Sequence, residues 1–309
     1  RETDTMGTFA CSSWYFLRFS DPHNAQEAFS RDQVSYWLPV DMYVGGAEHA
    51  VMHLLYARFW TKALHDLGHL PFVEPFKRLR NQGMILAEGG EKMSKSKGNV
   101  ITPDAVVAEW GADALRAYEM FISEFEQATP WNTNGVPGTF RWLRRIWDWV
   151  LHHAHPVHPD ATLEEIAKND RALRRWTHKT LKKVASDIEG FQFNTAIASL
   201  MKYTNALYSV EARPVSAVAW DEAKDTLLLM VAPIAPFMAE EMWARLGRPY
   251  SIHQQSWPQW DEALASDEIL TIIVQVNGKV RDRFDAPADI TEAEAKERAL
   301  ETTGAKKFL

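Results

Sequence analysis

Glu91-Lys92-Met93-Ser94-Lys95-Ser96-Lys97-Gly98-Asn99-Val100 places three lysines within six residues, spaced by serines and preceded by Gly89 and Gly90. Such a run is ordinarily a solvated basic turn, but its flanks favour another reading. Gln82-Gly83-Met84-Ile85-Leu86 reads as a short strand entering the loop. Thr102-Pro103-Asp104 opens a helix after it, with a capping residue followed by proline in the first turn. Glycine permits the turns of a loop that approaches a ligand closely. Serine hydroxyls and movable ammonium charges suit phosphate oxygens. Strand, phosphate-handling loop and helix in succession indicate an α/β layer.

Upstream, Met42-Tyr43-Val44-Gly45-Gly46-Ala47-Glu48-His49-Ala50 runs into His53-Leu54-Leu55-Tyr56-Ala57-Arg58-Phe59. Asp41–Val44 is a buried-strand candidate, and a helix is expected from about Ala47 to Leu67, stopping near Gly68. A strand, a glycine pair and a helix N-terminus suit nucleotide binding. His49 and His53, four apart, would share a helix face. Two histidines at that spacing could bind metal, but Ala50 stands where the zinc-hydrolase pattern needs glutamate, and no third ligand is apparent. No metal site is expected.

Lys92-Met93-Ser94-Lys95-Ser96 matches the second signature of the class I aminoacyl-tRNA synthetases, and the Met42–Phe59 block resembles the leucyl members rather than the isoleucyl, valyl or methionyl ones. Glu2-Thr3-Asp4-Thr5-Met6, Ser12-Ser13-Trp14-Tyr15 and Val274-Gln275-Val276-Asn277-Gly278-Lys279-Val280 extend the similarity over nearly the whole chain. The resemblance implies an ATP-dependent ligase that joins leucine to tRNA(Leu) through leucyl-adenylate for protein synthesis, with ATP and its Mg2+ as substrate. It assigns ATP contacts to Gly45, Gly46, Glu48, Met84, Ile85, Lys92, Ser94 and Lys95, with Lys92 and Lys95 as the catalytic charges. Phe9, Ser12, Tyr15, His49 and His53 would line the leucine pocket. Cys11 sits where that family more often shows aspartate or glycine, and a small thiol there is compatible with packing.

The fold class that follows is a partial Rossmann-type class I catalytic fold (residues 1–128), an all-α anticodon-binding-type bundle (129–262) and the start of a small α+β domain that contacts tRNA (263–309). Asp113–Phe121 should continue a helix that packs beneath the signature loop. Thr129–Gly138, rich in turn formers, marks the first boundary. Phe140, Leu143, Trp147 and Leu151 keep helical spacing, as do Ile197, Leu200, Met201, Thr204 and Leu207. Leu227–Pro236 reads as an apolar helix with a proline kink, within a bundle of four or five helices. Arg171, Arg175, Lys179 and Lys182 form one basic stripe flanked by Arg174 and Lys183, and Arg141, Arg144 and Arg145 form a smaller cluster. Such runs are as readily a solvated helix face as an RNA-binding surface. Ile269–Val276, Asn277-Gly278 and Lys279–Phe284 read as a hairpin, and Thr291 with Glu294 as a capping box.

With 46% hydrophobic and 24% charged residues, the chain has the balance of a soluble globular protein, and no apolar run approaches a membrane span. One cysteine excludes an internal disulfide and suits a cytoplasmic location. A net charge of −7 argues against indiscriminate nucleic-acid binding but leaves room for a local basic surface.

The sequence contains no His-x-Gly-His, the other class I signature. The resemblance places that motif in an N-terminal catalytic half, ahead of an editing insertion. The expectation is therefore a later portion of the enzyme, completed by that half in cis or in trans and inactive in adenylate synthesis alone. The alternatives are a non-catalytic tRNA-binding module or one subunit of a split synthetase.

Overall fold

The computed structural model describes residues 9–155, 158–210, 212–266, 269–287 and 290–308; the Glu2–Met6 match lies outside them. The chain forms two compact units: Arg1–Ala105 with Ile122–Thr133, and Val106–Phe121 with Asn134–Leu309.

The first unit begins with α1 (Phe9–Ser12), α2 (Tyr15–Phe19) and α3 (Arg31–Trp37), then β1 (Tyr43–Val44), α4 (His53–Asp66), β2 (Leu79–Arg80) and β3 (Ile85–Leu86). β1 pairs in parallel with β2, Tyr43 opposite Leu79, and β3 pairs in parallel with β4 (Thr129–Pro130). Parallel neighbours need a crossover, which α4 provides for the first pair. Phe16, Leu17, Val34, Ala57 and Leu70 form the buried core, with Tyr15, Leu38, Val40 and Phe76 packed on it. Arg58 and Lys62, one turn apart on α4, both grip Glu74 at 2.8 and 2.9 Å.

The helix expected from Ala47 is broken. Ala47–Val51 is a 3-10 turn, Met52 leaves helical geometry (φ −121°, ψ −89°), and the α-helix starts at His53.

The second unit starts within α5 (Pro103–Trp110) and continues through α6 (Ala112–Phe121) to a bundle of α7 (Val136–His152), α8 (Leu163–Glu189), α9 (Phe193–Val210), α10 (Ala217–Val231) and α11 (Pro236–Arg245). The buried residues of α6, Ala114, Leu115, Ala117 and Tyr118, face α7 and α9, because that stripe is apolar and the bundle offers an apolar partner. Asp113 accepts from the amides of Phe237 and Met238 and so caps α11, while Arg116 donates to the carbonyls of Pro233 and Ile234. Those carbonyls lie where the proline kink was expected. Instead α10 ends at Val231 and Pro236 starts a new helix, since proline fits a first turn and breaks an interior.

On α7 the inner face is Thr139, Trp142, Leu143, Ile146, Trp149 and Val150; Phe140, Trp147 and Leu151 flank it half-buried. Trp142 donates to Thr204 at 3.1 Å, and Tyr203 shares a hydrogen bond with Thr177, so these polar groups in the core are paired. On α9, Ile197, Leu200, Thr204 and Leu207 are buried as their spacing indicates.

After the bundle, α12 (Glu262–Ala265) runs against α8. β5 (Ile269–Val276) and β6 (Lys279–Pro287) form an antiparallel hairpin, closed by Asn277 and Gly278 at φ 55° and 73°. Positive φ at both positions makes this a type I′ turn. α13 (Glu292–Glu301) carries the Thr291–Glu294 capping box and is followed by α14 (Thr303–Lys306).

Candidate functional site

In the first unit the signature loop is a self-contained structure. Gly90 donates to Ala87 and Ala87 to Glu91, both at 2.8 Å, forming the entering turn. Asn99 Oδ1 accepts from the Ser94 amide at 2.8 Å, and Asn99 Nδ2 reaches the Lys92 carbonyl at 3.5 Å, so the two ends of the lysine run are tied together. Gly98, at φ 66°, ends the short 3-10 turn of Lys95–Lys97 in a conformation that side chains disfavour. Glu88 anchors the base by accepting from both the amide and hydroxyl of Thr133, and those bonds, hydroxyl first, hold its carboxyl below the usual value.

The three lysines are not equivalent. Lys97 is paired with Glu91 at 2.7 Å. Lys92 and Lys95 are exposed and have no carboxylate partner among the described residues. Two of three cations are therefore left for an external anion.

β1 delivers Gly45 and Gly46. Gly45 donates to the Arg80 carbonyl at 3.2 Å, and the Glu48 carboxylate folds over Gly46, 2.6 Å from where a Cβ would stand. Met84 lies at the start of β3 with its carbonyl accepting from Thr129 at 3.0 Å. Gly83 must be glycine, because a Cβ would sit 2.1 Å from the Gln127 carbonyl oxygen.

Tyr15, His49 and His53 are brought into one aromatic cluster whose centre, Tyr43, received no role from the sequence. The Tyr43 hydroxyl lies 3.3 Å from that of Tyr15 and 2.9 Å from His53 Nε2, and its ring stacks on Phe76 at 4.1 Å. His49 packs edge-on to His53 at 6.1 Å, across the Met52 break. His53 is 5% exposed. Burial, and then His49, hold its imidazole below the ordinary value, so it is neutral at pH 7. Burial and the Tyr15 hydroxyl push the Tyr43 phenol up. Phe9 stacks on Tyr56 at 5.8 Å, and Ser12 donates to the Phe9 carbonyl. Cys11 is exposed rather than packed. Strand alternation could have singled out Tyr43, which sits two positions before Gly45.

In the second unit, Arg171, Arg175, Lys179 and Lys182 all lie on α8. Arg171 is exposed, Arg175 donates to the Ser266 carbonyl at 3.1 Å, and Lys182 pairs with Glu262 of α12. Arg174 is paired with Glu222 and Lys183 with Asp187. Arg141, Arg144 and Arg145 all lie exposed on α7, and Arg145 bonds Asn205 and lies over the Tyr208 ring.

No group of metal-ligating side chains occurs among the described residues, and no described helix is long and apolar enough to cross a membrane.

Residues 1–132 match the family of tRNA synthetases class I (I, L, M and V), and residues 170–296 match the anticodon-binding domain of tRNA ligase. A leucine–tRNA ligase from Dehalococcoides mccartyi strain 195 is 53% identical over 310 residues, covering 100% of this chain and 37% of the relative. Over its whole length this chain matches a portion of the leucyl-tRNA synthetases. The corresponding ligase of Chloroherpeton thalassium is 48% identical with the same coverage. The leucyl synthetase of Agrobacterium radiobacter K84, solved as a ternary complex with tRNA and LeuAMS, superposes with a TM-score of 0.83 at 36% identity, over 100% of this chain and 40% of its own. A Mycobacterium tuberculosis methionyl-tRNA synthetase with methionyl-adenylate shares the fold at a TM-score of 0.54 and 17% identity, over 77% of this chain and 49% of its own. The chain thus spans a little over a third of the length of the leucyl relatives it matches.

Proposed function

We propose that this chain is the part of a leucine–tRNA ligase that supplies the phosphate-handling loop, one wall of the leucine pocket and a tRNA-binding bundle. The observation that carries this is the asymmetry of the loop: Glu91 neutralises Lys97 and leaves Lys92 and Lys95 with no carboxylate partner among the described residues. In leucine activation a carboxylate oxygen attacks the α-phosphorus of ATP, and the bond to the bridging oxygen breaks. Pyrophosphate leaves with the negative charge. No covalent enzyme intermediate is needed, so positioned charge provides the rate. Lys92 and Lys95, with Ser94, would receive that charge as it develops, in a loop that Asn99 braces at Ser94 and Lys92. Gly45, Gly46 and Glu48 would hold the adenosine, and the backbone at Met84 and Ile85 its base; Mg2+ would enter with the nucleotide.

The neutral His53, held by Tyr43, suits the aliphatic side chain of leucine, because a charged imidazole there would have to be desolvated. Tyr15 and His49 extend that wall, with Phe9 and Ser12 at its edge. The missing catalytic half would dock on the outer face of α4, where Leu55, Tyr56 and Phe59 are 58%, 49% and 68% exposed. The α8 stripe of Arg171, Arg175, Lys179 and Lys182 would meet the tRNA backbone.

Leucine-dependent exchange of pyrophosphate into ATP by the full-length protein tests the reading. Exchange is expected with leucine; exchange with isoleucine or methionine in its place would overturn the assignment.

A further inference from the structure

The chain leaves β3 for the signature loop between two ties to the corner that follows β4. The Trp131 amide donates to the Leu86 carbonyl at 2.9 Å and extends the parallel ladder by one residue. Two positions further on, Glu88 Oε1 accepts from the Thr133 hydroxyl at 2.6 Å and from its amide at 3.2 Å. The Thr133 oxygen is itself aimed by the Trp131 indole N–H, which donates to it at 3.2 Å. Trp131 is 5% exposed, so this chain of hydrogen bonds starts at a buried ring and ends on the loop. Beyond Glu88 the backbone has little stiffness of its own. Gly89 and Gly90 follow, and a methyl group at either would meet nothing within 4 Å. The turn closes with Gly90 donating to Ala87 and Ala87 to Glu91, and Lys92 comes next in the chain. Glu88 ties this turn back to the end of β4.

We infer that Glu88 is a positioning residue for leucine activation: by gripping Thr133 it fixes where the loop carrying Lys92 and Lys95 stands on the β3–β4 pair. The inference rests on the proposal that these two lysines stabilise the departing pyrophosphate. Such charges are effective only when they are held in place before the reaction, and a displacement of about 1 Å can cost roughly 10²-fold in rate. Both donors converge on the single oxygen Oε1. A glutamine at this position therefore keeps the tether through its amide oxygen, and an alanine removes it. A carboxylate that met the substrate directly would instead need its charge. A mere cap on the 3-10 turn of Thr133–Gly135 would use the same bonds, but its loss would lower stability without singling out the chemical step.

The test uses the full-length protein carrying this chain, with the rate of leucyl-adenylate formation, the leucine KM and the thermal midpoint measured together. Glu88→Ala is expected to slow adenylate formation about ten- to a hundredfold with the leucine KM unchanged, and Glu88→Gln to recover most of that rate. Thr133→Val, which removes the hydroxyl and keeps the amide, should give a smaller loss. The double variant Glu88→Ala/Thr133→Val should lose no more than Glu88→Ala alone, because both changes break one tether. A parent-like rate in Glu88→Ala would overturn the inference. Equal losses in the glutamine and alanine variants would assign the effect to charge and overturn it, as would additive losses in the double variant. A slower rate matched by a lower thermal midpoint would reduce the contact to a cap on the turn and overturn it as well. A parent-like rate in Lys92→Ala, or no leucine-dependent adenylate from the parent, would instead overturn the underlying reading of the loop.

Discussion

Lys92, Lys95 and Lys97 are chemically the same, and their neighbours divide them. Lys97 spends its charge on Glu91 in an exposed ion pair, of a kind worth about 0–1 kcal/mol. Replacing Lys97 with alanine in the full-length enzyme should therefore leave leucine activation nearly unchanged. Lys92→Ala or Lys95→Ala should slow it about 10²- to 10³-fold, with little change in leucine affinity. Pre-steady-state adenylate formation would separate the two, and equal effects at all three lysines would contradict the division. His53 makes a second residue-scale prediction. Its ordinary value is 6.5, and burial lowers it in the fold. Below 6.5 the unfolded chain takes up a proton that the folded chain refuses. The stability contributed by neutral His53 is thus present above 6.5 and is lost as pH falls through the lowered value. The thermal midpoint should fall between about pH 7.5 and about pH 5.5, and fall less in His53→Gln. An identical drop in the variant would assign the pH dependence elsewhere. Removing the hydroxyl that faces this imidazole, by Tyr43→Phe, should cost about 1–3 kcal/mol in denaturant unfolding, because His53 Nε2 would be left buried without its partner.

At the scale of elements, β3 and the loop after it depend on close backbone approach. A methyl group at Gly83 would meet the Gln127 carbonyl at 2.1 Å, whereas one at Gly89 would meet nothing within 4 Å. Gly83→Ala should destabilise the first unit by about 1–3 kcal/mol or more, and Gly89→Ala should be near neutral. Comparable denaturation midpoints for the two would show that the β3–β4 ladder is not needed to hold the loop. Helix boundaries follow the same logic of local fit. Met52 separates a 3-10 turn from α4, and this break sets the edge-on packing of His49 against His53. Pro236 begins α11 instead of bending α10, and the chain gains a cap from Asp113.

At the scale of the whole molecule, the two units differ in how much they bury. The helical unit encloses Trp149, Tyr203, Trp220 and a set of leucines at under 2% exposure, while the first unit buries a small core and leaves Leu55, Tyr56 and Phe59 in solvent. Hydrogen exchange in the 309-residue chain should accordingly show the strongest protection in α8, α9 and α10 and the weakest around β1 to β4. The reverse order would mean that buried area does not govern local stability here. What the sequence by itself determined is whatever depends on a few adjacent residues: the Asn277-Gly278 turn, the Thr291–Glu294 cap, the lysine loop between strand and helix, and the apolar stripe of α9. Turn geometry, capping and periodicity act over one or two turns of chain, so their signals survive without the fold. The partners of those elements were decided only by tertiary structure. Tyr43 became the centre of the histidine cluster, Asp113 and Arg116 secured the junction of α10 and α11, and α12 took the charge of Lys182. Each depends on which surfaces meet after collapse, and apolar burial selects those meetings with little regard for distance along the chain.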